Sequence, residues 1–176
     1  MLPPHFPKLE ISLIEILPGV IHAAELGQIT AHTDVIITGQ GVSGLVITQV
    51  IKQFSPRNLV VTDLKEANLA LAKKYGATHT YVMPSEHAST MDIVGKDFPH
   101  GFEVVVPCLL DGDMMSDALD LLAIGGRIVA YGACARPEAC GARRAVRRAR
   151  STPPPPRPAR RPLPPRRRLH WPVQEF

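Results

Sequence analysis

Cysteine is scarce in this 176-residue chain: only Cys108, Cys134 and Cys140 are present. They are too few and too irregularly spaced for a disulfide framework, and no CxxC pair suggests a metal knuckle. Reduced thiols in a cytoplasmic setting are therefore expected. Long hydrophobic runs are also missing. No stretch approaches the ~18 apolar residues needed to span a bilayer, and the amino terminus has no basic segment followed by a long apolar run. The sequence thus gives no sign of a membrane span or an export signal.

Positive charge is sparse over most of the chain and crowded at its end. Residues 1–136 hold 9 Lys and Arg against 14 Asp and Glu, net −5, whereas residues 137–176 hold 11 Arg against 2 Glu, net +9. The acidic body gives no reason to expect a nucleic-acid surface. The basic segment also carries 10 of the 18 prolines. Such a composition cannot bury a core, so a disordered tail over 137–176 is expected.

What the body does contain is centred on residues 33–63. An apolar strand, DVIIT, leads into Gly39-Gln40-Gly41-Val42-Ser43-Gly44, a helical pattern follows, and a second strand, NLVVT, ends on Asp63. This is the pattern of a βαβ unit that binds a dinucleotide. Gly39 permits the tight turn, Gly41 lets the backbone approach a pyrophosphate, and Gly44 allows close packing of helix on strand. The amides at the helix start, including those of Val42 and Ser43, would face the phosphates. Asp63 could accept hydrogen bonds from the adenosine ribose and would repel the extra phosphate of NADP, which favours NAD.

The rest of the body repeats the alternation. KEANLALAKKYGAT predicts a helix with Gly76 at its C-cap, THTYVM a third strand, SEHASTMDIV a weaker helix with a polar entry turn at Ser85, Glu86 and His87, and GFEVVVPCLL a fourth strand. Asp113 would cap a helix over MMSDALDLLA, and Gly125-Gly126 would turn the chain into a fifth strand, RIVAYG. Upstream, Pro18-Gly19 would separate ISLIEIL from a short helix ending near Gly27. His22 on that helix reads as a packing histidine. Continuous apolar strands alternating with helices predict a Rossmann-type, doubly wound parallel α/β sheet of about five strands, with the usual sixth strand missing.

GQGVSG, VVTD followed by KEANLALAKKYGAT, GFEVVVPC and ALDLLAIGGRIVAYG together resemble the cofactor domain of the zinc-type alcohol and polyol dehydrogenases of the medium-chain dehydrogenase/reductase superfamily, over roughly residues 12–133. SLIEILPGVIHA is similar to the connector before that domain. The resemblance implies hydride transfer to NAD from an alcohol or polyol polarised by zinc. It implies Gly39, Gly41 and Gly44 at the pyrophosphate and Asp63 at the ribose. It also places Cys108, Tyr131 and Gly132 after strands four and five, near the nicotinamide half, and it makes Glu15 a metal-proximal candidate. The cysteine and Gly-His-Glu motif that complete the family's zinc site do not occur in the sequence.

The expected organisation is a connector from a catalytic domain over 1–32, an NAD-binding domain over 33–136 and the tail over 137–176, with the chain inactive alone. A shifted reading frame or a misplaced gene boundary would account for the abrupt change of composition. The alternative is a non-enzymatic nucleotide-binding or interaction protein that recruits a partner through its tail. Pro162-Leu163-Pro164-Pro165-Arg166-Arg167 fits a polyproline ligand.

Overall fold

The computed structural model describes residues 14–85, 87–109 and 114–132. The amino-terminal lead, Glu86, Asp113 and the whole basic tail with its polyproline stretch lie outside the described residues. In chain order the elements are α1 (Ile16–Gly27), β1 (Asp34–Thr38), α2 (Val42–Gln53), β2 (Asn58–Asp63), α3 (Glu66–Lys74), β3 (His79–Val82), α4 (Thr90–Val94), β4 (Phe102–Pro107), α5 (Met114–Asp120) and β5 (Leu122–Ile128).

The five strands form one sheet in the order β3-β2-β1-β4-β5, and every neighbouring pair is parallel. This is the doubly wound order that the alternation of elements predicts. Val35, Ile37, Leu59, Val61, Val104 and Val106 point to one face, where they pack with Val20, Ala24, Val46, Ile47, Ile51, Leu69 and Ala72 from α1, α2 and α3. Ile36, Val60 and Val105 point to the other, against Val94, Phe102, Ala118 and Leu121. The period of two thus places apolar side chains on both faces, and helices cover both. Each such Val, Ile or Leu contributes up to about 1.5–3 kcal/mol by leaving water.

Two element boundaries differ from the sequence expectation. Pro18-Gly19 does not break α1, because Pro18 lies in its first turn, where a backbone N–H has no intrahelical partner to lose. The helix ends at Gly27, where the sequence places its end, with Gln28 capping it in the left-handed region at φ 49°. The second difference is at α5, which stops at Asp120 rather than running to Ala123. The Leu121 carbonyl accepts the Phe102 N–H at 2.9 Å, and Leu122 pairs with Phe102, so β4 captures the chain early. A bulge then carries Ile124 almost wholly into solvent and puts Gly125 at φ 81°. Pairing resumes at Arg127 and Ile128 and continues through Val129 N–H to the Val105 carbonyl, 2.9 Å. β5 thus begins at Leu122, ahead of the expected RIVAYG strand, and takes in Gly125-Gly126 as an irregularity within the strand rather than as a turn before it.

Candidate functional site

Parallel register brings three strand ends to one level: Thr38 pairs with Thr62 on one side and Pro107 on the other. The next residues, Gly39, Asp63 and Cys108, therefore emerge together. They do so beside β1, where the direction of strand addition reverses and a crevice opens at the carboxyl edge of such sheets.

The loop between β1 and α2 is held from several directions. Gly39 has φ 92°, a conformation that suits glycine, and its N–H donates to the Thr62 carbonyl at 2.8 Å. A Cβ on Gly44 would run into the Gly39 carbonyl, so strand and helix can meet this closely only with glycine there. A Cβ on Gly41 would meet nothing within 4 Å. The backbone at Gly41 therefore borders open space, as a ligand pressed against it requires. Val42, Ser43 and Gly44 form the first turn of α2, and its first backbone bond inside the described residues runs from the Leu45 N–H to the Gly41 carbonyl at 2.9 Å. The three preceding amides point out of the helix end, where the helix dipole is positive. The first turn contains no acidic residue, and the Val42 side chain is exposed at its rim.

Asp63 is tied to this loop. Its Oδ2 accepts the Gln40 N–H at 2.6 Å, and its Oδ1 accepts the Lys65 N–H at 2.8 Å and the Asn68 Nδ2–H at 3.1 Å. An ionised carboxylate offers about four acceptor positions, so capacity remains for a further donor. Sequence reasoning found Asp63 but not the group that orients it. Gln40 is fully buried, and the Thr48 hydroxyl donates to its Oε1 at 2.9 Å. In the sequence, Gln40 reads as loop filler. The available signal was Thr48, a polar residue one turn beyond Gly44 and next to the inward-facing Ile47.

Cys108 lies against the loop, with its Cβ 3.5 Å from where a Cβ on Gly39 would be, and its N–H donates to the Thr38 carbonyl at 3.0 Å. Burial, with the Asp63 charge adding to it, pushes the thiol up to about 12. The thiol is therefore protonated at neutral pH and a poor nucleophile.

Tyr131 follows β5, with its N–H donating to the Pro107 carbonyl at 3.3 Å. Its ring packs on α1: a Cβ on Gly19 would lie 3.6 Å from both the ring and the hydroxyl oxygen. Burial, then Cys108 and Glu15, raise its ionisation above the ordinary phenol value. Glu15 is exposed just before α1, and Gly132 is exposed after Tyr131. The predicted residues thus fall into a tight group, Gly39 to Gly44 with Asp63 and Cys108, and a second group of Tyr131, Gly132 and Glu15 beside α1. Among the described residues, no three or more His, Cys, Asp or Glu are grouped so as to hold a metal ion. No described helix is long and apolar enough to cross a membrane.

A glycine-rich loop at a helix start, an acid closing the second strand and a sheet of order 3-2-1-4-5 define a Rossmann-type dinucleotide-binding domain. The family model for zinc-binding dehydrogenases matches residues 43–152, and the chain belongs to that family. The match extends beyond residue 136, into the Arg/Pro-rich segment.

Among curated relatives, the L-threonine 3-dehydrogenase of Xanthomonas axonopodis pv. citri is 33% identical over 107 residues, covering 61% of this chain and 31% of its own length. The D-xylulose reductase of Scheffersomyces stipitis is 32% identical over 141 residues, covering 77% of this chain and 37% of its own length. A zinc-binding dehydrogenase of Sinorhizobium meliloti 1021, solved with NADP bound, aligns with a TM-score of 0.58 at 26% identity, over 66% of this chain and 35% of that one. The chain thus spans about a third of the length of the relatives it matches.

Proposed function

We propose that these residues are the NAD(H)-binding portion of a cytosolic zinc-type dehydrogenase that oxidises an alcohol or polyol. The observation that carries the proposal is the outward-facing first turn of α2 beside a carboxylate already anchored at the end of β2. In this reading the amides of Val42, Ser43 and Gly44 bind the pyrophosphate, and Gly41 lets it approach. Asp63 accepts from the adenosine ribose. Its charge disfavours a 2′-phosphate, so NAD is favoured over NADP even though one relative was solved with NADP. Cys108, Tyr131 and Gly132 border the nicotinamide half. The bound dinucleotide supplies the hydride acceptor, and the protein's part is to orient it at the carboxyl edge of the sheet.

A zinc ion does not fit the described residues, since Glu15 belongs to no group of three or more His, Cys, Asp or Glu there. For this chain by itself the proposal is nucleotide binding without turnover, with 1–32 as a connector and 33–136 as the binding domain. Small-molecule alcohols are proposed as substrates of the intact protein, on the strength of its family and of relatives named for threonine and xylulose.

The test is titration of the chain with NADH and NADPH, followed by nicotinamide fluorescence. Saturable NADH binding, at least about tenfold tighter than NADPH, is expected, corresponding to roughly 1.4 kcal/mol. Failure to bind either nucleotide would overturn the proposal.

A further inference from the structure

The loop contains a buried polar pair that nucleotide contact does not require. Gln40 and Thr48 are both fully buried. The Thr48 hydroxyl donates to Gln40 Oε1 at 2.9 Å, and Gln40 Nε2–H donates to the Gly39 carbonyl at 3.2 Å. The main-chain N–H of the same Gln40 donates to Asp63 Oδ2 at 2.6 Å. One residue therefore joins three parts of the site: α2 through Thr48, the loop through Gly39, and the end of β2 through Asp63. Among the described residues, every buried side-chain nitrogen and oxygen has a partner, so the pair is complete without a ligand.

An apolar side chain would fill the space under this loop without needing a partner, and a buried amide is tolerated only when its groups are satisfied. What the amide adds is direction. It fixes the peptide between Gly39 and Gln40, whose N–H sets the Asp63 carboxylate and whose carbonyl lies where Gly44 passes. We propose that Gln40 and Thr48 are positioning residues of the nucleotide site. They hold the phosphate-facing backbone and the ribose-facing carboxylate in one geometry, so that the two halves of the site move together or not at all. The role assigned to the site rests on the nucleotide-binding reading, whereas the clasp can be tested without it.

Four variants separate positioning from simple stabilisation: Thr48→Val, Thr48→Ser, Gln40→Met and the double variant Gln40→Met/Thr48→Val. Each is assayed by NADH titration, thermal unfolding and hydrogen exchange of the Gln40 amide, with the Ile36 amide as the core reference. Thr48→Val removes the donor and leaves Gln40 Oε1 unpaired. It should weaken NADH binding about tenfold and speed Gln40 exchange by a similar factor, with Ile36 unchanged. Thr48→Ser keeps the hydroxyl and should restore both.

The double variant leaves neither side chain of the pair with an orphaned polar group, so it should recover the part of the thermal stability that Gln40→Met loses by stranding the Thr48 hydroxyl. It should not recover NADH affinity or Gln40 protection. Recovery of affinity along with stability would reduce the pair to a packing element and overturn the proposal. If the unmodified chain bound no NADH, the nucleotide reading would fail, and Gln40 exchange would still judge the clasp. Equal exchange in the unmodified chain and Thr48→Val would overturn it.

Discussion

The two ends of the sheet use the same strands for opposite purposes. At the amino ends of β1, β2 and β4, charged groups answer one another. Arg57 donates to both carboxylate oxygens of Asp34 at 2.7 and 2.6 Å and reaches Glu103 at 3.4 Å. Asn58 donates to Asp34, and the Asp34 N–H donates to Glu103 at 2.8 Å. At the carboxyl ends, the Asp63 carboxylate is turned by backbone amides and the helix-start amides face outward. A network closed on itself is a structural device, whereas donors arranged toward open space are what the proposed nucleotide site needs.

The contrast can be broken from either side. The largest effect is expected for Gly44→Ala, because a Cβ there collides with the Gly39 carbonyl. Forcing atoms into a packed contact costs about 1–3 kcal/mol, and here the displaced group is the loop itself. Thermal unfolding should show the loss, and NADH titration should show little or no binding. Gly41→Ala has open space around its Cβ and should leave stability nearly unchanged while weakening NADH binding about tenfold.

Asp63→Ser comes next. It removes the fixed charge and should narrow the preference for NADH over NADPH by about tenfold or more, read from the ratio of the two dissociation constants. The fold should survive, because a serine hydroxyl can still accept from one of the neighbouring amides.

At the other end, Arg57→Ala should lower the melting temperature slightly, less so in high salt, and leave the NADH dissociation constant unchanged. The pH dependence follows from Asp34. Burial pushes its carboxyl up, but the hydrogen bonds from Arg57 and Asn58, with the Arg57 charge, together bring it below the ordinary 3.8. A group lowered on folding contributes stability that is present above 3.8 and lost as pH falls through its folded value. Melting curves should therefore show the Arg57→Ala penalty at neutral pH and see it shrink below pH 3.8. The smallest effect is a slow reaction: with its thiol pushed up to about 12, Cys108 should resist alkylation at pH 8, as peptide mapping would show.

The loop geometry at the carboxyl end was largely legible in the sequence, because glycines at fixed spacing and an acid after an apolar strand carry the backbone geometry with them. The parallel order followed from continuous apolar runs such as VVVP. Where apolar residues crowd together, period alone could not locate a boundary: Leu121-Leu122-Ala123-Ile124 suits a helix or a strand equally, and pairing with Phe102 decided it. Pro18 looked like a breaker because the start of α1 was not visible. Gln40 and Thr48 stayed hidden for a different reason. Polar residues in a loop and on a helix look solvated until the structure shows both of them buried, each satisfying the other. The amino-end network was equally hidden, since Asp34, Arg57 and Glu103 are far apart in the chain and meet only through sheet register.

The most direct test is a titration of the isotopically labelled chain with NADH, following each backbone amide by NMR. If the carboxyl edge is the nucleotide site, the amides of Gly41, Val42, Ser43, Gly44 and Asp63 should shift and saturate together, while those of Asp34, Arg57, Asn58 and Glu103 stay still. Shifts confined to the amino-end network, or spread evenly over both ends, would contradict the account.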